Sequence, residues 1–76
     1  MGIADPKKMK EYIKRLKERK KELEDELVKL INKKERGEIS NEEYEERKKK
    51  LEREYVEVMD RLTQMSYLTG ESALFG

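Results

Sequence analysis

The stretch Gly37-Glu38-Ile39-Ser40-Asn41-Glu42-Glu43-Tyr44 decides how this chain folds. Glycine ends helices because, lacking a Cβ, it enters left-handed backbone without a clash. A helix arriving from the N-terminal side should therefore stop near Arg36. Ser40 then offers a hydroxyl to the unsatisfied N–H groups of a new helix, and Glu43 completes a capping box. Ile39 and Tyr44 occupy the two positions of a hydrophobic staple. One helix ends and another begins across a turn at 37–39, and so short a link forces the two to lie antiparallel.

Upstream, Asp5-Pro6 is a helix opening, an N-cap followed by proline where the missing N–H costs nothing. The apolar residues that follow are Met9, Ile13, Leu16, Leu23, Leu27 and Leu30, with Lys20 filling the one gap in alternating steps of 4 and 3. That spacing is a heptad seam. Downstream the same alternation runs through Tyr44, Leu51, Tyr55, Val58, Leu62 and Met65, with Lys48 in its gap. Gly70 marks the second helix's end, and residues 71–76 carry no periodicity and read as a flexible tail. The expected fold is all-α: an antiparallel two-helix coiled-coil hairpin spanning 1–70, with helices over 6–36 and 40–69. At 1.5 Å per residue each helix extends about 45 Å.

Composition narrows the function. Of 76 residues, 19 are Lys or Arg and 18 are Asp or Glu, so 49% of the chain is charged while the net charge is +1. There is no Cys and no His, which removes thiolate nucleophiles, the usual zinc ligands and the commonest general base near neutral pH. The four glycines are isolated, so no phosphate loop is present. Glu42, Glu43, Glu45 and Glu46 crowd the second helix's start, where they complement its dipole. We expect no enzyme activity, no catalytic residues, no metal and no cofactor. No apolar run reaches the ~18 residues of a membrane span, and the N-terminus lacks a signal-peptide core. The expected compartment is cytoplasmic, and abundant Glu and Lys with few Asn and Gln fits a heat-adapted protein.

Charge order supports the hairpin. Folding about Glu38 sets position n opposite roughly 75 minus n. Lys14 to Lys21 then approach Glu52, Glu54, Glu57 and Asp60, while Glu22 to Glu26 approach Arg47 to Lys50 and Arg53. Beside the seam lie further apolar residues, Tyr12, Val28 and Ile31 on the first helix and Val56, Met59 and Leu68 on the second. They widen the stripe toward that of a bundle helix. We read these six as a partner interface, the simplest partner being a second copy in a homodimeric four-helix bundle, or else another helical protein. Two alternatives stand beside that reading. The basic segment 14–21 could contact nucleic acid, although the acids expected opposite it count against this. Ala73-Leu74-Phe75 could dock a small regulator's tail on a partner. Burial against the second helix makes a membrane-surface role for the basic helix unfavourable.

Leu27-Val28-Lys29-Leu30-Ile31, followed by Gly37-Glu38-Ile39-Ser40-Asn41-Glu42-Glu43-Tyr44-Glu45-Glu46-Arg47-Lys48-Lys49-Lys50-Leu51, resembles the short helical-hairpin module SHOCT. That pattern runs from a leucine-rich helix through Gly, Ile-Ser, two acids and an aromatic into a lysine-rich helix. The resemblance implies oligomerisation rather than chemistry.

Overall fold

A computed structural model of the chain describes the backbone of residues 6–69, and the side chains as far as Tyr67. Two helices account for nearly all of it: α1, Pro6–Glu35, and α2, Asn41–Thr69. They pack side by side in antiparallel order, in a body 48 × 25 × 16 Å across. Asp5, Leu68's side chain and the tail 71–76 lie outside the described residues.

The turn is built from local hydrogen bonds. α1 is one residue shorter than expected, because Arg36 donates the last helical bond, to Asn32 O at 3.0 Å, while already standing in the turn. Gly37 takes φ +75°, the left-handed conformation. Its N–H reaches Lys34 O at 3.0 Å and that of Glu38 reaches Lys33 O at 2.9 Å. This pair of bonds is a Schellman closure, which satisfies carbonyls a helix end otherwise leaves open. Ser40 stands before α2 rather than inside it: its Oγ accepts from Glu43 N–H at 3.1 Å. Its own carbonyl accepts the first helical bond, from Tyr44 N–H at 2.9 Å. Only half of the capping box forms, since the Glu43 carboxylate turns to Arg47 at 3.7 Å instead of returning to Ser40. Ile39 and Tyr44 are both half-buried.

The seam closes the helices on each other. Ile13, Leu16, Leu23, Leu30, Val58 and Leu62 are buried, with Leu23 and Leu62 only 2% exposed. Leu51, Tyr55 and Met65 pack around them, joined by Tyr12 and Met59. Met9, Leu27 and Tyr44 are half-buried. The lysines in the seam gaps do not go dry. Lys20 holds its Nζ 3.7 Å from Glu24, and Lys48 lays its Nζ 5.8 Å from the Tyr44 ring, whose face also meets Lys34 Nζ at 4.3 Å. Each keeps a charged tip at the edge while its methylenes cover apolar surface.

Candidate interaction surface

The flanks of the seam differ, and the sharpest contact identifies one of them. Arg19 and Glu54 occupy equivalent positions beside the seam of their own helices, and in an antiparallel pair such positions meet. Arg19 Nε donates to Glu54 Oε2 at 2.6 Å and Nη2 to Oε1 at 2.9 Å, a two-pronged fork, while Nη1 reaches Glu22 at 3.0 Å. The guanidinium holds the Glu54 carboxyl below the usual carboxylate range, chiefly through those hydrogen bonds. On the other flank the Tyr55 hydroxyl donates to Glu24 Oε2 at 2.8 Å. That bond to a carboxylate, with burial second, raises the phenol's pKa. Among the described residues Arg19–Glu54 is the one ion pair that joins the helices. The matching blocks of charge otherwise face each other without closing contacts.

The six residues read from the sequence as a partner interface do not share one environment. Tyr12 and Met59 pack against the hairpin's own core. Val28, at 56% exposed, Val56, at 59%, and Ile31, at 37%, face solvent. By helical register Val28, Ile31, Val56 and Met59 lie on the flank of Glu24. Tyr12 falls on the flank of Arg19, toward the open end.

Lysines of α1 complete the Glu24 flank. Lys10, Lys14, Lys17 and Lys21 border a shallow groove beside Ile13, and none of them has an ion-pair partner among the described residues. Glu45 and Glu52 of α2 fall on the same flank, equally unpaired. The Arg19 flank has its own groove, nearer the turn and about 340 Å³ in volume. Leu30 and Leu51 line it, with Lys29 and Lys33 on the α1 side and Arg47 and Lys50 on the α2 side; Glu26 is its one acid. Sequence reasoning missed this groove. Its signal was present in the basic residues on one flank of Leu30 and Leu51, but only a fixed register between the helices places them around one trough.

No group of three or more metal-ligating side chains occurs among the described residues, and no helix there is long and apolar enough to cross a membrane. Neither a curated protein nor a solved structure matches the chain. Residues 25–52, the capped turn and the helix segments beside it, match the SHOCT family model, the short C-terminal domain.

Proposed function

We propose that this chain is a non-enzymatic, cytoplasmic protein–protein interaction module that self-associates through the flank carrying Val28, Ile31, Val56 and Met59. The observation that carries the proposal is the exposure of three large aliphatic side chains on one flank of a hairpin whose own seam is already filled. Six buried side chains make a small core for a free-standing domain, and chains of this size gain much of their stability by covering such flanks in oligomers. Charge supports a second copy as the occupant. The flank is mostly basic on α1, with Lys10, Lys14, Lys17 and Lys21, and mostly acidic on α2, with Glu45 and Glu52 beside Lys49, so α1 of one copy can lie along α2 of the other with opposite net charge facing. The product is a four-helix bundle. The SHOCT match at residues 25–52 supports a small helical interaction module.

Sedimentation equilibrium across concentration tests the reading. The native chain should sediment as a dimer, and Val28→Lys with Val56→Lys should yield a folded monomer. A native chain that stays monomeric at every concentration would rule self-association out.

One observation favours a second reading. Four unpaired lysines along one helix flank also fit a phosphate backbone. Duplex retention that weakens steeply with salt and disappears with Lys14→Glu and Lys17→Glu would promote it over the dimer.

A further inference from the structure

The groove on the Arg19 flank has a composition the dimer does not use. Its floor is carbon, from Leu30 and Leu51. Its walls carry two short rows of cations, Lys29 and Lys33 one turn apart on α1 and Arg47 and Lys50 on α2, with Glu26 the one acid at the end of the α1 row. Arg47 is engaged by Glu43, but Lys29, Lys33 and Lys50 have no ion-pair partner among the described residues. A trough with an apolar bottom and positive edges on both sides asks for a rod with an apolar stripe and negative edges. From Glu26 to Lys33 the groove follows α1 for about 10 Å, roughly two helical turns.

We propose that this groove binds an acidic amphipathic helix of another protein, with a leucine-sized side chain seated between Leu30 and Leu51 and flanking carboxylates meeting Lys33 and Lys50. Three physical points select that occupant. Two copies joined groove to groove about a two-fold axis would set cation against cation, which removes the symmetric self-contact. Nucleic acid would leave the leucine floor unused, because no aromatic face lines the groove for a base to stack on. The groove also lies on the opposite flank from the proposed dimer contact, so it stays open whether or not the chain dimerises and does not rest on that reading. All its lining residues fall within 25–52, the segment matched by the family model.

The test is fluorescence anisotropy of the full chain with a labelled, helix-forming peptide bearing two leucines one turn apart and glutamates on either side. Its controls are the same peptide with alanines for the leucines, and a single-stranded oligonucleotide of equal charge. The expected result is saturable binding that weakens about tenfold or more with Lys33→Glu plus Lys50→Glu, and about tenfold with the alanine peptide. Circular dichroism of the doubly substituted chain should show an unchanged fold, since both lysines are exposed. Equal binding of the leucine and alanine peptides would overturn the proposal, as would equal uptake of the oligonucleotide. A third overturning result is growth of the protein alone beyond a dimer, abolished by the same two substitutions, which would assign the groove to another copy. A chain that is monomeric yet binds the leucine peptide would defeat the dimer and leave this proposal standing.

Discussion

Within residues 25–52 only Leu30 is buried, whereas the half of the hairpin nearer the open end buries Ile13, Leu16, Leu23, Val58 and Leu62. The turn half instead collects the local devices: the Schellman closure at Gly37, the Ser40 cap and the lysines against the Tyr44 ring. The two halves therefore answer to different physics. Near the turn the chain is held by short-range hydrogen bonds that any two well-capped helices can form. Toward the open end it is held by side chains more than thirty residues apart in sequence, which add nothing until both helices are in place. The family match covers the first kind of region and ends where the second begins.

Cutting the molecule is the strongest way to break that comparison. A peptide of residues 25–52 should show little helix by circular dichroism, because isolated helices shorter than about 12–15 residues are marginal in water and Leu30 alone cannot hold the pair. A fully helical peptide would mean the turn half is autonomous. Next in size, Leu62→Ala should cost about 3 kcal/mol and lower the midpoint of urea unfolding, because a fully enclosed side chain leaves a cavity.

Smaller effects are expected at the turn. Gly37→Ala should destabilise by about 1–2 kcal/mol, the cost of a Cβ in left-handed backbone. Nothing lies within 4 Å of where that Cβ would sit, so the loss is conformational, and Gly37→Asn should recover part of it. Ser40→Ala should cost about 1 kcal/mol. If the Leu62 and Gly37 substitutions prove equal in cost, the division between halves fails.

The smallest effects sharpen the comparison through pH. Glu54 titrates below its ordinary range when folded. Its pairing with Arg19 therefore adds stability above the unfolded carboxylate pKa, and that stability is lost as pH falls through the depressed folded value. Tyr55 titrates above its ordinary value when folded. Its bond to Glu24 stabilises below about pH 10 and weakens as pH rises through the raised folded value. A double-mutant cycle on Arg19 and Glu54 should return about 1 kcal/mol or less near neutral pH and nothing well below the folded pKa of Glu54. Tyr55→Phe should flatten the alkaline limb of stability against pH. A coupling that persists in acid would show that the fork is not what joins the helices there.

Much of this was legible in the residues themselves. The stop at Gly37 and the cap at Ser40 are properties of single residue types in fixed order, and a heptad seam is a periodicity that can be counted. The charge blocks were legible in sign and sequence but not in partner. Long, flexible side chains of opposite sign have many near-equivalent pairings, and among the described residues one closes across the helices, between Arg19 and Glu54. The interface was legible only as a surplus of apolar residues. Tyr12 and Met59 turned out to pack on the hairpin's core, while Val28, Ile31 and Val56 were left outside.

From its sequence alone, then, this protein had two helices, a reversal at Gly37 and the stripe by which they meet. Each of those depends on backbone preference and on spacing within one helix. The tertiary structure alone decided which flank each remaining side chain faces, and with it the leucine groove between cations near the turn. The reason is register: neither helix carries the groove by itself, and its two walls become one site only when α1 and α2 are fixed at one level against each other.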